Sequence, residues 1–156
     1  MTLRAVVGIG ANLGDRMATM RSAVRAIEAV ARVEKTSHVY ETAPVGPPQP
    51  TFLNAAVLLA YEREPVDLLD ELLAIERDAG RVRIERWGPR TLDLDVLWID
   101  GLVVDTPRLV VPHRHLHERA FALAPLLELV PDARDPRTGA VYTVPPGEIR
   151  DTGEAL

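Results

Sequence analysis

The sequence contains no cysteine, which excludes disulfides and thiolate metal sites. It also lacks any apolar run that approaches a membrane span. The run within residues 1–10 is far too short for a signal peptide or a span, so a cytoplasmic protein is the expectation. Aromatic residues make up only 4% of the chain and the net charge is −5, which disfavours a nucleic-acid-binding surface. There is no internal repeat and no linker. The 156 residues suit one domain over 1–156. A chain of that size buries about two-thirds of its unfolded surface and needs no staples.

What is present reads as alternating elements. Leu3 to Ile9 is a buried strand, and the glycines at 8, 10 and 14 read as a tight strand-to-helix turn. Asn12 or Asp15 can cap a helix whose stripe is Met17, Met20, Val24, Ile27 and Ala31. Val33 to Tyr40 is a strand, Ala43 to Pro50 a proline-rich loop, and Phe52 to Tyr61 a long buried strand. Pro65 opens a second helix with Leu68, Leu69, Leu72, Leu73, Ile75 and Ala79 on its apolar face, and Gly80 suits its end. A polar loop over Arg81 to Arg90 precedes a strand over Thr91 to Ile99. Asp100-Gly101 then predicts a tight turn with Leu102 to Val104 returning beside that strand. His115 to Leu129 is partly helical, with Pro125 forcing a boundary or kink. The tail from about residue 144 is expected to be mobile. The order predicts an α+β sandwich of the ferredoxin-like kind, with a largely antiparallel sheet and helices packed on it.

The residues with chemical potential centre on Leu92-Asp93-Leu94-Asp95-Val96. Alternate strand residues share a face, so Asp93 and Asp95 point away from the core, roughly 6–7 Å apart at their stems. Two such carboxylates repel by up to about 2–3 kcal/mol at an effective dielectric near 20. A cation would turn that repulsion into coordination, and oxygen-only ligation suits Mg²⁺ with phosphate oxygens. The pattern alone fits a solvated outer face of an edge strand better. Arg81, Arg83, Arg86 and Arg90 immediately precede it. Forked guanidinium donors beside an acidic pair are the components of phosphoryl transfer, although a solvated loop paired with Glu85 and Asp78 would also account for them. Trp87 either stacks on a flat ring or anchors its loop. Glu76 interrupts an apolar helix face and serves as an acceptor for loop backbone donors rather than as a base. His113, His115 and His117 invite a zinc reading, but no glutamate has the spacing of helical zinc motifs, which leaves phosphate contact for His113.

Taken together, these residues resemble the 6-hydroxymethyl-7,8-dihydropterin pyrophosphokinase family. The resemblance rests on Arg81-Val82-Arg83 and the string Glu85-Arg86-Trp87-Gly88-Pro89-Arg90-Thr91-Leu92-Asp93-Leu94-Asp95. Supporting matches are Gly10 to Gly14, Tyr40 to Pro44, Phe52 to Ala56, Val111-Pro112-His113 and Arg119-Ala120-Phe121. The resemblance implies transfer of pyrophosphate from ATP to the hydroxymethyl group of the pterin, releasing AMP, in folate biosynthesis. It places two Mg²⁺ ions on Asp93 and Asp95, with Arg81 and Arg90 on the phosphates during transfer and Asp95 the nearest candidate base. Arg83, Trp87, Arg108, His113 and Arg119 fall on the ATP side, with Trp87 on a closing loop. The pterin falls between Phe52 and Phe121, read by Asn54 and by the backbone around Thr42, Ala43 and Val45. The partners implied are these two small molecules, with no nucleic acid, membrane or obligate protein partner.

Two other functions compete. A nucleotidyl- or glycosyltransferase would explain Asp93 and Asp95 but not the two phenylalanines or the short length. An RNA-binding module on a ferredoxin-like sheet needs exposed aromatics and a basic face, which this composition lacks.

Overall fold

The computed structural model of the chain describes residues 2–12, 14–42, 51–79, 92–147 and 149–156. Its main sheet has strands β1 (Leu3–Ala11), β2 (Arg32–Thr36), β3 (His38–Thr42), β4 (Phe52–Tyr61), β5 (Asp93–Ile99) and β8 (Ile149–Ala155). The order is β5-β1-β4-β3-β8, with β2 also pairing β4, and all of these pairings are antiparallel. Helices α1 (Arg16–Glu28) and α2 (Pro65–Asp78) connect β1 to β2 and β4 to β5. With β2 and β3 counted as the two halves of one interrupted strand, this is the βαββαβ arrangement that the sequence predicts. Among the described residues no helix is long and apolar enough to cross a membrane.

The sheet separates two cores. On one face Ala5, Val7, Ile9, Leu53, Val57, Leu94 and Val96 pack against Met20, Ile27, Leu68 and Leu72 of α1 and α2. On the other, Val6, Ala56, Leu58, Leu97 and Trp98 pack against Leu123 and Leu126 of α3 (Ala120–Leu129). Each fully buried leucine contributes about 1.5–3 kcal/mol relative to exposure. The register of β1 on β5 slips between Val6 and Val7. That bulge puts Leu97 and Trp98 in the same core while Val96 and Ile99 stay in the other. Trp98 Nε1 donates to the Arg134 carbonyl at 2.9 Å, tying the segment after α3 to the sheet.

Local chemistry explains the element ends. Asp15 caps α1 by accepting from the Ala18 N–H at 3.1 Å, a contact of about 1 kcal/mol in such positions. Pro65 takes the first position of α2, and the Glu64 N–H donates to Asp67 Oδ2 at 3.2 Å.

Three details differ from the sequence reading. Gly8 and Gly10 lie inside β1, and of the three glycines only Gly14 (φ 62°) has the left-handed backbone of a turn. The strand expected over Val33 to Tyr40 is broken at buried Ser37, whose Oγ accepts from the Ala56 N–H at 2.9 Å. Leu102 only bridges Ile99, and the hairpin forms instead between β6 (Val104–Asp105) and β7 (Val110–Val111). Pro125 sits inside α3 and so marks no boundary, which leaves the kink of the two expected alternatives; apolar burial on the sheet outweighs the lost backbone bond. Within the tail, residues 149–155 form β8, paired along β3. The expected loops over 43–50 and 81–90, and Gly80, lie outside the described residues.

Candidate active site

The site is built on the α3 face of the sheet, at the end where α3 begins. Asp93 and Asp95 stand on β5, half-buried, alternating with Leu94 and Val96 of the opposite core. Edge strand β5 is fixed from outside by two partners. Glu76, 3% exposed on α2, accepts the Leu94 N–H at 2.8 Å, so it does accept from backbone, though from a strand rather than from the loop expected. The His113 N–H donates to the Leu97 carbonyl at 2.9 Å.

The neighbouring strand clears space beside the carboxylates. Asp93 pairs with Gly10 and Asp95 with Gly8. Gly10 pairs in turn with Asn54 on β4. A Cβ on Gly10 would lie 3.1 Å from Asn54 Oδ1 and 3.9 Å from the Asp93 Cβ. Any side chain there would fill the gap between them. Two adjacent carboxylates next to a cleared strand form an oxygen-only donor set, which suits Mg²⁺ carrying phosphate oxygens.

On the far side of Gly10, Asn54 Nδ2 donates to Thr42 Oγ1 at 3.2 Å, and Thr42 pairs with Phe52. Phe52, Asn54 and Thr42 therefore share this face with the aspartates. Phe121 is the second residue of α3 and 36% exposed, with the Arg119 guanidinium 5.7 Å from its ring centroid. That spacing is within cation–π range. His113 is half-buried. Burial pushes its pKa below the ordinary histidine value, assisted by Arg119 and His115 and opposed by Asp95 and Asp93. It is therefore neutral at pH 7 and able to donate one hydrogen bond.

Six expected site residues, Arg81, Arg83, Trp87, Arg90, Ala43 and Val45, lie outside the described residues. Asp93, Asp95, Asn54, Thr42 and Phe52 share one sheet face, with His113 against the β5 edge and Arg119 and Phe121 at the start of α3. Arg108 lies in the β6–β7 turn, ion-paired with Asp70 of α2. Sequence reasoning missed the roles of Gly8 and Gly10. Their spacing of two on a strand was the available signal, because it puts both on one face, opposite the Val7 and Ile9 side chains.

The fold agrees with comparisons to known proteins. A family model described as 7,8-dihydro-6-hydroxymethylpterin-pyrophosphokinase (HPPK) matches residues 6–131. The chain is 43% identical over 137 residues to the 2-amino-4-hydroxy-6-hydroxymethyldihydropteridine pyrophosphokinase of Synechocystis, covering 86% of this chain and 70% of that protein. It is 45% identical over 139 residues to the enzyme of the same name from Pseudomonas aeruginosa, covering 87% and 86%. The fold matches the crystal structure of wild-type Plasmodium falciparum HPPK-DHPS with pteroate at a TM-score of 0.71 and 13% identity, over 91% of this chain. The chain spans 41% of that larger protein. The match over residues 6–131 and the identity to these relatives establish that this chain belongs to the 7,8-dihydro-6-hydroxymethylpterin-pyrophosphokinase family.

Proposed function

We propose that the chain acts as a single cytoplasmic domain that transfers the pyrophosphoryl group of ATP to the hydroxymethyl oxygen of 6-hydroxymethyl-7,8-dihydropterin, in folate biosynthesis. The pterin oxygen bonds to the β-phosphorus, the bond from that phosphorus to the bridging oxygen of AMP breaks, and AMP leaves. The observation that carries this reading is the row Asp93–Gly10–Asn54. It sets a carboxylate and an amide on one face, roughly 10 Å apart across a glycine that puts no side chain between them.

Asp93 and Asp95 would hold two Mg²⁺ ions, which neutralise phosphate charge and lower the pKa of the attacking alcohol. The chain's own residues do the positioning. Asn54, oriented by Thr42, reads the pterin edge, and Phe52 and Phe121 stack on its faces. Neutral His113 donates to phosphate oxygen. Arg119, together with Arg81, Arg83 and Arg90, supplies fixed positive charge for the developing anion. Trp87 and Arg108 belong to the nucleotide side, and the backbone at Ala43 and Val45 to the pterin side. The proton of the attacking alcohol passes to Asp95 or to solvent. In-line transfer of this kind depends on positioning more than on covalent chemistry.

The test is to incubate the purified chain with ATP, Mg²⁺ and the reduced hydroxymethylpterin and to identify both products. AMP and pyrophosphorylated pterin in equal amounts are expected. ADP, or AMP with free pyrophosphate and unchanged pterin, would overturn the reading.

A further inference from the structure

A second cluster of ligating groups lies away from the active site, where β3, α3 and β8 meet. His38 of β3, Glu128 of α3 and Asp151 of β8 each offer a donor atom, all within 4.8 Å of one another. His38 Nδ1 is 3.2 Å from Asp151 Oδ2 and 3.9 Å from Glu128 Oε1. Ligands about 2.0–2.1 Å from a tetrahedral ion lie roughly 3.4 Å apart, so these separations straddle the required value.

We propose that His38, Glu128 and Asp151 form a binding site for a first-row transition cation of the Zn²⁺ or Co²⁺ class. The imidazole distinguishes this site from the oxygen-only pair Asp93 and Asp95, because nitrogen ligands favour zinc and cobalt over magnesium. The groups around it are arranged to orient the ligands. Glu128 is held by the Tyr40 hydroxyl, which donates to Oε1 at 2.8 Å, and by the His38 N–H at 2.9 and 3.1 Å. Asp151 is fixed through its other oxygen, Oδ1, which accepts the Gly153 N–H at 2.8 Å. That arrangement leaves Oδ2 directed at His38. Such outer contacts set the orientation of ligands in metal sites generally. The β3–β8 register slips between His38 and Tyr40, and Gly153 takes a left-handed φ of 75° beside the slip. That distortion brings Asp151 to His38 although it pairs with Tyr40. Asp151 also lies beyond the stretch that matches the family model, so the site rests on this chain's own C-terminal strand. The cation would displace the proton shared by His38 and Asp151 and tie three separate elements together.

The experiment is calorimetric titration of the metal-free full chain with Zn²⁺ in excess Mg²⁺, on the parent, His38→Ala, Asp151→Asn and Asp93→Ala. One Zn²⁺ equivalent is expected. Affinity should fall at least tenfold in His38→Ala and Asp151→Asn and stay unchanged in Asp93→Ala. Co²⁺ should give the parent visible absorption of a tetrahedral site, and His38→Ala should lose it. Asp151→Asn keeps the side-chain shape, so a matching thermal melt separates ligand loss from unfolding. Equal Zn²⁺ affinity in His38→Ala and parent, or a loss confined to Asp93→Ala, would overturn the proposal.

Discussion

Asp93 and Asn54 are registered against the same residue, Gly10, from opposite sides of β1. The carboxylate and the amide thus share a sheet face with no side chain between them. The two glycines of this strand have different tasks, and substitution should separate them. Gly10→Ala puts a Cβ 3.1 Å from Asn54 Oδ1, displacing the amide from Thr42. The KM for pterin should rise several-fold with little change in melting temperature, since a strained contact and a stiffer unfolded chain offset each other. Gly8→Ala meets buried Leu97 at 3.0–3.3 Å and should cost about 1–3 kcal/mol of stability. Steady-state kinetics and denaturant titration on both variants check this. Equal melting and equal KM would refute the division of roles.

Asp93→Ala or Asp95→Ala should each lower turnover more than roughly a hundredfold, because each removes a proposed metal ligand. The fold should persist, since both side chains face away from the core of Leu94 and Val96. Turnover and a thermal melt on one sample test both parts, and retained turnover in either variant would contradict the metal assignment.

Glu76 supports that strand from its outer edge. Glu76→Ala strands the Leu94 N–H beneath α2 and should cost about 1–3 kcal/mol. Because Leu94 lies between Asp93 and Asp95, turnover should fall as well, while Glu76→Gln, whose amide oxygen still accepts, should recover much of both. An Ala variant with full stability would show that this contact does not hold β5.

Pterin affinity should depend on Phe121 and Asn54. Stacking contributes on the order of 0.5–1.5 kcal/mol beyond burial, and an unpaired pterin edge costs about 1–3 kcal/mol. Calorimetry with a non-reactive pterin measures Phe121→Ala and Asn54→Ala. If both bind as the parent does, the pterin lies elsewhere.

All three tyrosines should resist ionisation. Tyr40, Tyr61 and Tyr142 are buried, and burial is the main cause that raises each pKa. Tyr61, whose hydroxyl donates to Glu71 at 2.9 Å, is pushed up to about 12. A raised folded-state pKa means stability that is fully present below the unfolded value near 10 and is lost as pH rises toward 12. Tyrosinate absorbance should therefore appear late and together with loss of ellipticity. A tyrosine ionising near pH 10 in still-folded protein would contradict this.

The sequence by itself determined the α+β order, the long strand Phe52 to Tyr61, the two helices with the Asp15 cap of one and the Pro65 start of the other, and the facing of Asp93 and Asp95, because period and end signals are local properties of the chain. It also carried the motif string by which the family is legible. Tertiary structure decided what depends on neighbours distant in sequence. Gly8 and Gly10 read as a turn until β4 and β5 flank them, and Ser37 breaks a strand only because Ala56 lies beside it. Val104 pairs Val111 because β5 is an edge whose outer side is taken by Glu76 and His113. Asp151 meets His38 and Glu128 only through the pairing of β8 with β3, a contact across more than a hundred residues that no local pattern encodes.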